Sequence, residues 1–194
     1  GSSSNAWGPV NVNADWNVLV ANGKTLNVYG ALNSSGRTIT VGGEGFSGTL
    51  VLNNAANASM TAEWVITSGS TVRCMNNSAL GSGLVTLDGG TLDFNSQTIG
   101  STITLNMSGI GTLQNVTVDG AILSYTSSSG NDGITASNTT WTSGKIDIGR
   151  LLQGFSAEGS NTVDLGVELG EGFSVLGLDT GQYRIEGSVL TIED

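Results

Sequence analysis

Gly23-Lys24-Thr25-Leu26-Asn27-Val28, Gly36-Arg37-Thr38-Ile39-Thr40-Val41 and Gly48-Thr49-Leu50-Val51-Leu52 are three statements of one phrase. It returns as Gly90-Thr91-Leu92-Asp93-Phe94, as Gly100-Ser101-Thr102-Ile103-Thr104-Leu105 and, near the end, as Gly187-Ser188-Val189-Leu190-Thr191-Ile192. A glycine opens each copy, and small polar residues then alternate with apolar ones. Period-two alternation with one apolar face is the mark of a β-strand. A phrase restated along a chain points to a repeated structural unit.

The spacing of the phrase separates two all-β architectures. Its glycines fall at 23, 36, 48, 69, 83, 90, 100 and 111, with gaps of 13, 12, 21, 14, 7, 10 and 11 residues. An antiparallel β-sandwich is the alternative, with Asp88-Gly89-Gly90, Asp119-Gly120 and Asn131-Asp132-Gly133 as hairpin turns. A sequence that echoes itself while its period wanders fits better an irregular right-handed parallel β-helix, a β-solenoid with coils of unequal length. In such a rod Leu, Ile, Val and Phe rest on their equivalents one coil away. Thr and Asn decorate the outside, and Gly and Asn turn the corners. About eight coils at the ~4.8 Å strand spacing would give a rod roughly 40 Å long.

Strands are expected at 17–20, 24–29, 37–41, 48–53, 62–67, 71–75, 84–87, 91–95, 102–106, 111–118, 120–126, 145–148, 162–169, 182–186 and 188–193. No window carries a capped amphipathic helical stripe. Residues 1–6, Gly-Ser-Ser-Ser-Asn-Ala, read as an expression remnant, with the native start and any leader trimmed. Residues 7–20, with Trp7 and Trp16, are expected to cap the first coil. Residues 21–194 form one solenoid domain, of which 155–194 is a more acidic end or cap.

Charge and composition exclude several functions. Of the net −10, residues 1–118 hold five acids and three bases, and residues 119–194 hold eleven acids and three bases. This acidity repels phosphate backbones, so nucleic acid is not an expected partner. The chain has no histidine, which removes His-based triads, His-ligated zinc and imidazole acid–base catalysis. Cys74 is the lone cysteine, in phase with Val72, and reads as a small buried hydrophobe. No apolar run is long enough to span a membrane.

The stretch Asn77-Ser78-Ala79-Leu80-Gly81-Ser82-Gly83-Leu84-Val85-Thr86-Leu87-Asp88-Gly89-Gly90-Thr91-Leu92-Asp93-Phe94-Asn95 resembles the autotransporter-associated β-strand repeat. Looser echoes extend over about 20–120, and 125–194 share only its composition. The resemblance implies a secreted or surface-displayed bacterial β-helix, a passenger without its translocator. It implies no catalytic residues, because repeats of this family are scaffold.

Chemistry then has to be sought in side chains that stacking could bring together. Asp88, Asp93, Asp119, Asp147 and Asp164 are read as outward acids, and Lys145 and Arg150 lie near Asp147. A carbohydrate-active β-helix enzyme, a polysaccharide lyase or hydrolase, would need three or more such carboxylates converging in a groove. Ser129-Gly130-Asn131-Asp132-Gly133 lacks calcium-loop spacing and reads as a turn. Gly42-Gly43-Glu44-Gly45 lacks the Lys-Ser/Thr of a phosphate loop. No cofactor and no metal is expected. Trp64, Tyr125 and Trp141 sit in Ser/Thr-rich surroundings and are the candidate rings for stacking on a glycan. The plainer reading of Trp64 is that it caps the apolar core of its coil. The expected function is structural or adhesive display towards a host or matrix glycan or protein, with end-to-end self-association as a further contact.

Overall fold

The structure is a computed structural model, described for residues 3–125, 133–146, 154–158, 160–164, 167–169, 175–176, 183–186 and 189–193. It is a parallel β-solenoid. In chain order the strands of the stack are β1 (Ser3–Ala6), β2 (Val10–Val12), β3 (Trp16–Val18), β4 (Thr25–Val28), β5 (Leu32–Val41), β6 (Thr49–Leu52), β7 (Thr61–Thr67), β8 (Thr71–Cys74), β9 (Gly83–Asp88), β10 (Thr91–Gly100), β11 (Ile103–Met107), β12 (Ile110–Tyr125) and β13 (Gly133–Ile146).

Register defines the coil. Ser3 lies beside Thr25, Thr25 beside Thr49, and the column continues through Thr71, Thr91, Thr112 and Thr135. These are six steps of 20 to 24 residues, about six turns, or roughly 29 Å of rod at the ~4.8 Å strand spacing. Parallel pairing carries the column two rungs further at the acidic end, from Thr135 to Ser156 and from Ser156 to Leu176. Each coil spends the phrase once or twice on different faces, which makes the period wander.

Next to the half-buried threonine column runs its inward neighbour: Leu26, Leu50, Val72, Leu92, Leu113 and Ala136. A second face stacks Ile39, Trp64, Val85, Leu105, Leu123 and Ile146, all closed to solvent. A third stacks Ile99, Val118, Trp141 and Val163. Each large side chain so buried contributes about 1.5–3 kcal/mol of hydrophobic stabilisation. Cys74 is fully buried in phase with Val72.

The sandwich alternative is set aside by these pairings, which are parallel throughout the coils. Two of the Asp-Gly sites turn corners: Gly89, with φ of 74°, leads into the next parallel strand β10, and Gly120, with φ of 90°, sits at a register shift inside β12. Antiparallel pairing enters at the acidic end. There β14 (Gly154–Glu158) and β15 (Ser160–Asp164) are followed by β16 (Glu168–Leu169), β17 (Val175–Leu176), β18 (Tyr183–Glu186) and β19 (Val189–Glu193). β19 runs antiparallel to both β15 and β18.

Several strands lie outside the expected set. Residues 3–6 form β1 and pair in register with β4. Val10–Val12 is also a strand, on Leu32–Ser34. β13 starts at Gly133, although only 145–148 was expected there, and β14 was not expected at all. Along β13 the inward positions are Ile134, Ala136, Thr139, Trp141 and Ile146, so two small or polar residues break the apolar alternation. Thr139 tolerates burial because its N–H and Oγ1–H both donate to Asn161 Oδ1, at 3.0 and 2.8 Å.

Candidate functional site

Two of the three candidate rings are inside the rod. Trp64 is 1% exposed and Trp141 is 0% exposed. Trp64 Nε1 donates to the Leu80 carbonyl oxygen at 3.1 Å, and Trp141 Nε1 donates to Thr139 Oγ1 at 3.1 Å. With the indole N–H satisfied inside and the ring faces packed, neither can lie on a sugar. The polar neighbours that suggested exposure are the outward half of each strand. Tyr125 ends β12, in register with Met107; its side chain lies outside the described residues.

The exposed aromatic pair is elsewhere. Trp7, 70% exposed, stacks on Tyr29 with ring centroids 4.1 Å apart and planes 8° from parallel. Asn27 Nδ2 donates to Asn5 Oδ1 at 3.0 Å, and Asn33 Nδ2 to Asn11 Oδ1 at 2.9 Å. The register explains all three contacts: Asn5-Ala6-Trp7-Gly8-Pro9-Val10-Asn11 is restated one coil later as Asn27-Val28-Tyr29-Gly30-Ala31-Leu32-Asn33. That 22-residue echo is legible in the sequence, but reading 1–6 as a remnant hides it.

Among the described residues no three of the acids read as outward converge, and Asp93 is not outward. Asp93 is buried, its Oδ2 taken by Arg73 Nε at 2.9 Å and its Oδ1 by the Asn95 N–H and Asn115 Nδ2. Burial pushes its carboxyl up, but the hydrogen bonds from Asn115, Asn95, Arg73 and Gln114 outweigh it and hold the group below the usual aspartate range. Asp119 accepts from Ser143 Oγ at 2.7 Å. Burial, with the Asp93 charge second, pushes the Cys74 thiol far up, which leaves it inert. Asp147, Arg150 and 129–132 lie outside the described residues, as does the side chain of Asp164. Among the described residues no three acid or cysteine side chains gather as a metal site.

The corner between the second face and the threonine face is different. Its loops are long in the first coils, 19–24 and 42–48, and short in those that follow, 68–70, 89–90 and 108–109. The long loop 42–48 overhangs the short loops of the next two coils, and a cleft of about 470 Å³ opens beneath it. Phe46, Glu44, Ser47 and Asn22 come from the long loops, and Thr67, Ser68 and Asp88 from the coils below. The overhang is built firmly. The Phe46 N–H donates to the Gly43 carbonyl at 2.9 Å, closing a turn, and Ser70 Oγ donates to the Phe46 carbonyl at 3.2 Å. Asn22 Oδ1 accepts both the N–H and the Oγ–H of Ser47, at 2.8 and 2.9 Å. Phe46, Glu44 and Asp88 are exposed.

An aromatic edge, hydroxyls, an amide and two carboxylates in one cleft can take a polyhydroxylated ligand: the ring meets C–H faces and the polar groups meet hydroxyls. Gly43, Glu44 and Gly45 of the glycine-rich stretch thus belong to a cleft wall. Only the sequential pairing of long and short corner loops signals this site, and the strand list alone does not contain it. No helix among the described residues is long and apolar enough to cross a membrane. No protein-family model, no curated protein and no solved structure matches the chain.

Proposed function

We propose that this chain is a non-enzymatic, secreted or surface-displayed bacterial β-solenoid module that acts as a structural and adhesive rod. It takes a host or matrix glycan in the cleft beneath loop 42–48. The observation that carries the reading is the step in corner-loop length, which puts Phe46 over a wall of hydroxyl, amide and carboxylate groups on an otherwise regular rod. The repeat resemblance of 77–95 supports the display role. A glycan array probed with the wild type and with Phe46→Ala tests it: the proposal expects binding that is lost in the variant. Binding unchanged in Phe46→Ala, or none to any glycan, refutes it.

Glu44 and Asp88 in one cleft favour a second reading, a carbohydrate-active enzyme. Incubation with uronate polymers and mucin decides between them. Turnover lost in both Glu44→Gln and Asp88→Asn would establish the enzyme and end the display reading.

A further inference from the structure

A second cleft, of about 360 Å³, opens at the next corner round the coil, between the first three turns. Its floor is apolar and buried: Val12, Leu32 and Met60. Its walls are amides and hydroxyls, and Arg37 is the one charged residue that lines it. That is unusual on a chain with sixteen acids and six bases.

Arg37 is placed there by a bulge. Ser35 pairs with Thr61 and Arg37 with Ala62, so Gly36 is an extra residue in its strand. Gly36 takes a φ of 63°, and its N–H donates to Thr61 Oγ1 at 3.2 Å. A bulge of this kind re-aims the side chain that follows it. The Arg37 guanidinium forms no ion pair or hydrogen bond among the described residues. Asp15, whose Oδ1 accepts the Thr38 N–H at 3.1 Å, is held to backbone beside it and does not line the cleft.

The walls carry unused hydrogen-bonding capacity. The Asn33 Nδ2 bond to Asn11 Oδ1 leaves Asn11 Nδ2 as a spare donor and Asn33 Oδ1 as a spare acceptor. A guanidinium fork matches a carboxylate with two parallel hydrogen bonds. A spare donor and acceptor suit hydroxyls, and an apolar floor suits the C–H face of a sugar ring.

We infer that this cleft binds a carboxylate-bearing sugar, a uronic acid unit, with Arg37 on the carboxylate. The site lies at a different corner from Phe46 and stands independently of the cleft there. Calorimetric titration of the intact chain with oligogalacturonate, neutral maltotriose and sodium sulfate tests it, with thermal melting as a control for folding. Oligogalacturonate is expected to bind and maltotriose to bind far more weakly. Arg37→Gln should weaken oligogalacturonate binding by about tenfold to a hundredfold, the scale of a lost charge-assisted pair. Arg37→Lys should recover part of the loss, and Ile122→Ala, at an exposed residue that lines neither cleft, should leave it unchanged. Maltotriose binding as tightly, sulfate binding as tightly, binding unchanged in Arg37→Gln, or no binding at all overturns the inference. Uronate binding lost in Phe46→Ala but kept in Arg37→Gln would overturn it while leaving the Phe46 cleft in place.

Discussion

Gly90 opens one of the recurring phrases, and the rod itself explains why it is glycine. A Cβ built there would lie 2.5 Å from Ile66 Cγ2, 2.5 Å from the Ile66 carbonyl oxygen and 2.7 Å from its carbonyl carbon. The side-chain methyl could rotate aside, but the carbonyl belongs to the backbone of the coil beneath, so two coils must separate. Gly100 opens another copy of the phrase, yet a Cβ there meets only the Asp119 carbonyl oxygen, at 3.7 Å, an ordinary contact. Overpacking of this kind costs about 1–3 kcal/mol. The loss of unfolded-chain freedom on replacing glycine by alanine returns about 0.4–1 kcal/mol. Gly90→Ala should therefore destabilise by about 1–2 kcal/mol, lowering Tm by roughly 2–8 °C for a chain of this size. Gly100→Ala should match the wild type or exceed it slightly. Urea and thermal unfolding, followed by far-UV circular dichroism, measure both. Equal stability of the two variants would refute the close-approach argument.

Other expectations follow from the same geometry. Trp141→Ala should cost about 3–5 kcal/mol, as large aromatic truncations in cores do, whereas the exposed Trp7→Ala should cost far less in the same unfolding assay. Asp93 has a folded pKa below its ordinary 3.8, so the unfolded chain binds the proton more readily. Its contribution is complete above 3.8 and is lost as pH falls from there through the folded value; Asp93→Asn should flatten that limb of the stability–pH curve. Cys74 should ignore a thiol reagent at pH 8 in the native state and react promptly in denaturant, because burial keeps the thiol protonated and out of reach.

Where strands alternate strongly, the sequence already shows the fold. Leu92 and Phe94 face inward as their period-two pattern requires, and Val72 and Cys74 do the same. The pattern fails where the core is filled by small or polar groups, as at Ala136 and Thr139, since burial there depends on Asn161 one coil away. The glycine phrase joins two physical causes under one letter. Gly23 and Gly36 take left-handed φ in open space, whereas Gly48 and Gly90 make room for a neighbouring coil. Trp64 follows its plainer reading as a core ring, whereas Trp141 looks exposed in sequence because Thr140 and Thr142 are polar, and those neighbours point outward. The Phe46 cleft arises from loops of unequal length brought together by register, which no single segment encodes.

Cysteine cross-linking along the threonine column tests the parallel, in-register stack most directly. Thr25, Thr49 and Thr71 occupy successive rungs, so neighbours lie about 4.8 Å apart and alternate rungs about twice that. Disulfides form with Cα atoms roughly 4.4–6.8 Å apart. With the inert Cys74 left in place, the Thr25→Cys/Thr49→Cys and Thr49→Cys/Thr71→Cys pairs should oxidise to intramolecular disulfides. The Thr25→Cys/Thr71→Cys pair should remain reduced. A disulfide in that last pair, or none in the first two, would contradict the solenoid.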